Sequence, residues 1–205
     1  MEIVKLGQKA ASRAAKAIKE GIVVVFPTDT VYGFLADAFN KKAVNKIFKI
    51  KKRPRSKPLA VFVKDLKMAK KLAYIDEPAS AKGYGEAKQE KILKKYWPGK
   101  FTFILKAKKI ETRSLSNLTL GKGGTIALRI PKYKFLNDLL KKINRPLAQT
   151  SVNISGKPAL SKISDIKEFI GRSDLPILVI DGGDLKKSKL SRIIDFTAKT
   201  LTRLR

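Results

Sequence analysis

The chain contains no cysteine and no histidine. These absences exclude a disulfide, a thiolate nucleophile, an imidazole base and any zinc site built from sulfur or imidazole. Acidic residues are scarce: 17 Asp and Glu stand against 46 Lys and Arg, a formal net charge of +29 over 205 residues. No apolar run reaches the length of a membrane span, and Met1–Lys9 lacks the apolar core of a signal peptide. A cytoplasmic chain is the expectation, and the missing cysteine fits a reducing compartment. Any catalysis falls to Lys, Arg, Ser, Thr, Tyr, Asn and carboxylates. That set favours chemistry run by positioning and electrostatics, such as phosphoryl or nucleotidyl transfer.

What is present supports a folded domain. Hydrophobic residues make up 43%, and the length is enough for one sizeable core. The positive charge attracts polyanions, whether RNA, nucleotides or an acidic protein. Solvated surface lysine of the thermophile kind accounts equally well for the bulk of it.

Periodicity and breakers predict helices at Ala10–Glu20, Ala43–Ile50, Asp65–Leu72, part of Glu77–Tyr96, Phe135–Ile143 and Ser164–Ile170. Strands are predicted at Ile22–Phe26, Leu59–Val63, Phe101–Ala107, Thr125–Ile130, Leu147–Thr150, Ile177–Ile180 and Ile193–Phe196, with a short one ending the chain. Thr28–Gly33 reads as a polar turn and Lys108–Gly124 as an exposed loop. Strands and helices alternate, yet some strands are adjacent. The expected fold is therefore α/β, a mixed sheet with helices packed on it.

Three polar segments follow buried elements directly. Pro27-Thr28-Asp29-Thr30-Val31-Tyr32-Gly33 offers short oxygen-bearing side chains at a strand end, where such sheets commonly place ligands. Self-capping by Asp29 and the threonines reads equally well. In Lys51-Lys52-Arg53 an extended backbone, favoured by Pro54, would point Lys51 and Arg53 the same way, at one phosphate group. A solvated basic loop is the plainer alternative. Ser151 and Asn153 share a face in Thr150–Gly156. Arg129 is a lone cation in an apolar strand and needs a partner: a substrate carboxylate, or Asp29 or Asp181.

PTDTVYG, Lys51-Lys52-Arg53, WPG at Trp97–Gly99, ALRIP, TSxNxSG and DGG occur in one order along the chain. Together they resemble the YrdC-like threonylcarbamoyl-AMP synthase family, from roughly Ala10 to Phe196. The resemblance implies an open, twisted α/β sheet with a basic concave face. It implies an enzyme that makes threonylcarbamoyl-AMP and pyrophosphate from L-threonine, bicarbonate and ATP, with Mg²⁺ bound through the ATP phosphates. A downstream tRNA threonylcarbamoyl transferase would be the partner, with weak tRNA or RNA binding on the basic face. Motif by motif, it implies threonine contacts at Thr30, Arg129 and Ser191. Nucleotide contacts would fall at Lys51, Arg53, Lys57, Thr125, Ser151, Asn153 and Arg205, with Arg203 as the alternative to the last. Lys51 and Arg53 would be the catalytic pair. The chain departs from the pattern at Lys100, in place of a proline, and at Arg192, in place of a threonine. It resembles the short form: one YrdC-like domain over residues 1–205, without an additional C-terminal domain. Two rivals are a noncatalytic RNA-binding domain and a related module using another carbamoyl donor.

Overall fold

The computed structural model describes residues 1–75, 89–186, 188–197 and 202–203. In chain order the elements are β1 (Glu2–Lys5), α1 (Ala10–Lys19), β2 (Val23–Phe26), β3 (Gly33–Asp37), α2 (Lys41–Lys51), β4 (Ala60–Phe62), α3 (Leu66–Leu72), α4 (Gln89–Tyr96) and β5 (Phe101–Lys106). There follow α5 (Lys109–Thr112), β6 (Leu120–Gly121), β7 (Thr125–Arg129), α6 (Lys134–Ile143), β8 (Leu147–Ser151), α7 (Ile163–Gly171), β9 (Ile177–Asp181), β10 (Arg192–Asp195) and β11 (Thr202–Arg203). The strands form one mixed sheet in the order β1-β9-β2-β3-β8-β4-β7-β5-β10-β11, with β6 added beside β7. Among the described strands four neighbouring pairs are parallel (β1 with β9, β9 with β2, β4 with β7, β5 with β10) and the others antiparallel, a mixed sheet as expected.

Local chemistry explains the element ends. The Asn40 side chain accepts the Ala43 N–H at the start of α2, and Asp65 accepts that of Met68 at the start of α3, each satisfying an orphan donor of the first turn. Gly21 stops α1 at φ +76°, where a side chain would be strained.

Alternation along the strands divides the core in two. One layer contains Val25, Phe34, Val61, Phe103 and Leu128, with Ala43, Val44 and Ile47 of α2 and Ile166 of α7. The other contains Val24, Phe26, Leu35, Leu178 and Ile180, against the alanines of α1 and the leucines of α6. Helices α1 and α6 also pack on each other. They pack on the second face over β9, β2 and β3, and Leu147 of β8 and Phe62 of β4 join the same layer. The cleft described below opens farther along that face.

The structure corrects several sequence expectations. Strands β1 and β3 were absent from them. Gly33–Asp37 is wholly buried and pairs antiparallel with both β2 and β8. Lys108–Gly124 is not an exposed loop: α5, a 3-10 turn at Asn117–Thr119 and β6 occupy it, and Leu115 and Leu118 are buried. The part of Glu77–Tyr96 before Gln89 lies outside the described residues.

Candidate active site

Register brings the polar motifs together. Phe26 at the end of β2, Gly33 at the start of β3 and Ser151 at the end of β8 lie side by side. The loops that follow β2 and β8 therefore leave the sheet at one edge. The Asp181-Gly182-Gly183 turn after β9 joins them. Tyr32 Oη donates to the Gly183 carbonyl at 2.7 Å and accepts the Gly182 N–H at 2.9 Å. Burial raises the Tyr32 hydroxyl to about 12, so it stays a protonated staple. Asp181 is structural as well. Its burial opposes ionisation, but the Gly183 N–H, Lys5 and Lys167 together hold it below the ordinary carboxylate value.

A cleft of about 670 Å³ opens on the second face, a size typical of ligand sites. Its floor is the row Gln149, Ala60, Ala127 and Ile104 of neighbouring strands. Arg53, Lys57 and Arg129 give the wall three cations, and no carboxylate is among its described lining residues. A groove beside α3 is larger, about 1200 Å³, and carries Lys64, Lys67, Lys70, Lys71 and Lys108. It lies away from the strand-borne hydroxyls and amides that converge on the smaller cleft.

Arg129 is 2% exposed. Its Nη2 donates to Asp29 Oδ1 and its Nε to the Gly99 carbonyl at 2.9 Å. The guanidinium also lies over the Phe62 ring, 5.5 Å from its centroid. Of the three partners considered from sequence, Asp29 is the one observed. Asp29 in turn accepts the Lys132 N–H, so this carboxylate does not cap its own turn. The WPG segment acquires a physical role here. A Cβ on Gly99 would meet the Tyr96 carbonyl oxygen at 2.4 Å, so only glycine presents this acceptor to Arg129.

The self-capping reading holds for Thr28. Its hydroxyl donates to the Val31 carbonyl at 2.7 Å and accepts from the Thr30 and Val31 N–H groups. The Thr28 and Thr30 hydroxyls lie 3.1 Å apart, and Thr30 lines the cleft. Opposite Arg129 in the β5–β7 register stands Thr102. Its hydroxyl is 3.1 Å from that of Ser191. Both are buried and both line the cleft.

The extended Lys51-Lys52-Arg53 arrangement is overturned. Lys51 ends α2, and Lys52 is left-handed at φ 48°, ψ 44°. Period-two alternation therefore fails. Arg53 lines the cleft and braces its own loop, donating to the carbonyls of Lys57 at 2.8 Å and Pro58 at 3.0 Å. Lys51 instead is 1% exposed and points behind the loop after β8. Its Nζ donates to Ser151 O at 2.6 Å, Asn153 O at 3.0 Å and Asn153 Oδ1 at 2.7 Å. Burial, and secondarily the charge of Arg53, lowers Lys51 to about 7.

Asn153 is turned inward too. Its Oδ1 also accepts from Ser151 Oγ at 2.7 Å, and its amide donates to the carbonyls of Ile154 and Lys157. Thr125 continues the cleft face of β7, two and four residues before Ala127 and Arg129, at the end nearest Pro58. Thus Thr30, Arg53, Lys57, Arg129, Ser151 and Ser191 line one cleft. Lys51 and Asn153 stand behind it. Arg205 lies outside the described residues, as does the side chain of Arg203. Sequence reasoning missed Thr102 and Gln149. Thr102 between Phe101 and Phe103 was the available signal; Gln149 lies beside Thr150 and Ser151 and stood out less.

The fold is thus an α/β sheet with a polar, cationic cleft on one face. The family model for Sua5, YciO and YrdC, described as "Telomere recombination", matches residues 16–205, and the chain belongs to that family. Threonylcarbamoyl-AMP synthase of Pyrococcus abyssi is 34% identical over 185 residues, 90% of this chain and 50% of the relative. A putative threonylcarbamoyl-AMP synthase of Methanocaldococcus jannaschii is 37% identical over 180 residues, 87% of this chain and 76% of the relative. The crystal structure of Pyrococcus abyssi Sua5 complexed with L-threonine matches with a TM-score of 0.81 at 31% identity, covering 100% of this chain and 56% of that one. The chain thus spans about half the length of its Pyrococcus abyssi relative. Among the described residues no helix is long and apolar enough to cross a membrane.

Proposed function

We propose that this chain is a threonylcarbamoyl-AMP synthase, a nucleotidyltransferase that joins L-threonine, bicarbonate and ATP for threonylcarbamoyladenosine formation in tRNA. The observation that carries the reading is the polarity of the cleft along β7. Arg129, with Thr30, Thr102 and Ser191 around it, stands at one end of the strand. Thr125, Lys57, Arg53 and Ser151 stand toward the other. Four residues of strand separate Arg129 from Thr125, about 13 Å. That spacing suits an amino acid at one end and a chain of phosphates at the other.

In this reading Arg129 binds the threonine carboxylate, and Thr30 Oγ1 accepts from the threonine amine. The amine attacks bicarbonate, giving a carbamate with loss of water. A carbamate oxygen then attacks the α-phosphorus of ATP, the bond to the β-phosphate bridging oxygen breaks, and pyrophosphate leaves. Arg53 and Lys57 offset charge on the phosphates, and Ser151 orients them. The scheme asks little proton transfer of the protein, in keeping with a chain that has no histidine.

Magnesium enters as part of the substrate MgATP. The described residues contain no cluster of three carboxylates that would hold it, and Asp29, beside Arg129, is engaged by that cation and by the Lys132 N–H. Phosphate oxygens are the fitting ligands.

The test is pyrophosphate release from MgATP, with threonine and bicarbonate omitted in turn. Release is expected only with both. Release that depends on neither would overturn the assignment. Carbamoyl phosphate substituting for threonine and bicarbonate would point to the other carbamoyl-donor class. RNA binding without any release would point to a noncatalytic RNA module.

A further inference from the structure

We infer that Lys51 is a positioning residue: its ammonium holds the 151–157 loop in shape from behind and does not touch the phosphates. Three observations carry this. Its three N–H donors match three acceptors, Ser151 O, Asn153 O and Asn153 Oδ1, all within 3.0 Å. A phosphate oxygen could reach Nζ only by displacing one of them. The side chain is 1% exposed and does not line the cleft, whereas Arg53 and Ser151 do. The backbone closes the same unit, because the Lys51 carbonyl accepts the Ser155 N–H at 2.8 Å. Lys51 thereby ties the end of α2 to both ends of Ser151–Ser155.

The consequence for Ser151 is specific. Its hydroxyl donates to the same Asn153 Oδ1 that accepts from Lys51. Lys51 fixes Asn153 Oδ1, Asn153 Oδ1 fixes the Ser151 hydroxyl, and Ser151 lines the cleft. The interaction is a relay of position rather than a second phosphate cation. The Lys51-Lys52-Arg53 motif then divides its labour: Lys51 builds the loop, left-handed Lys52 turns the chain, and Arg53 faces the ligand.

The ordering part of this inference is independent of the proposed reaction, and the test separates the two. Hydrogen exchange on the ligand-free full chain would compare wild type with Lys51→Met, Asn153→Ala and Arg53→Ala. Lys51→Met is expected to speed exchange at the amides of Val152, Ser155 and Leu160 by roughly tenfold to a hundredfold, as loss of hydrogen bonds to a charged group implies. Asn153→Ala, which removes one acceptor and keeps the ammonium, should speed the same amides by a smaller factor. Arg53→Ala should leave them within about twofold of wild type. The second readout is the salt dependence of KM for ATP. Arg53→Ala should flatten it, because it removes a charge that meets the phosphates, and Lys51→Met should leave its slope unchanged. Unaltered exchange in both Lys51→Met and Asn153→Ala, or a Lys51→Met slope flattened like that of Arg53→Ala, would overturn the inference. If Lys51→Met fails to fold, Asn153→Ala carries the exchange test alone. A wild type that releases no pyrophosphate would defeat the proposed reaction while leaving the exchange result in force.

Discussion

The face of the sheet that carries α1 and α6 changes character between β3 and β8. Over β9, β2 and β3 its outward positions are Leu178, Ile180, Val24, Phe26 and Leu35, all buried beneath the two helices. Over β8, β4, β7 and β5 the same alternation presents Gln149, Ala60, Ala127, Arg129 and Thr102. One half is large and apolar and has a lid of helices. The other has a mixed floor of Gln149, Ala60, Ala127 and Ile104, with hydroxyls and cations around it, and opens as a cleft. The backbone is the same pleated scaffold in both, so side-chain size and polarity alone decide which half is core and which is site.

Four substitutions or titrations would break or sharpen that contrast. Arg129→Met should have the largest effect, because it strands the buried Asp29 carboxylate. Loss of one partner of such a pair costs about 3–5 kcal/mol, read by denaturant unfolding, and pyrophosphate release should fall with it. Leu140→Ala, under the covered half, should cost about 2–5 kcal/mol while leaving activity per folded molecule unchanged. Ala127→Leu in the cleft half should do the opposite. Its side chain enters open volume, so stability should stay within about 1 kcal/mol of wild type. Release should fall on the order of a hundredfold, because reactants are displaced from the floor. An Ala127→Leu chain that is inactive and also unfolded would remove the contrast.

The smallest effect is a pH dependence. Lys51 sits at about 7 in the folded chain against an ordinary 10.5. Below pH 7 both folded and unfolded chains carry the charge, and the cost of burying it is fully present. Between those two values the unfolded chain holds a proton that the folded chain has released, so stability rises with pH. Wild-type stability minus that of Lys51→Met should therefore climb across that window and flatten above it. A difference that is flat or falling there would contradict the burial of a titrating amine.

The sequence was most legible where a single local rule decides. Most major helices and strands followed from periodicity. The motif order pointed to the loops that register then brought together at Phe26, Gly33 and Ser151. Less legible were elements stabilised by neighbours. Gly33–Asp37 is a strand because β2 and β8 flank it, although it opens with glycine and ends with aspartate. The segment after Lys108 has only short elements and no usable period, and Leu115 and Leu118 bury it. Lys51 was misjudged for a sharper reason. A non-glycine residue in the left-handed region, here Lys52, leaves no signature in the sequence, and it reverses which way its neighbours point. The choice among partners for Arg129 likewise needed tertiary structure, because Asp29 and Arg129 are 100 residues apart.

The most direct test of the account is a crystal structure of the chain with L-threonine and a nonhydrolysable ATP analogue. The account predicts the threonine carboxylate against Arg129 and the phosphates along Arg53, Lys57 and Ser151, with Lys51 still bound to the carbonyls of Ser151 and Asn153. Ligands seated in the lysine-lined groove beside α3, with the strand-borne cleft left vacant, would contradict it.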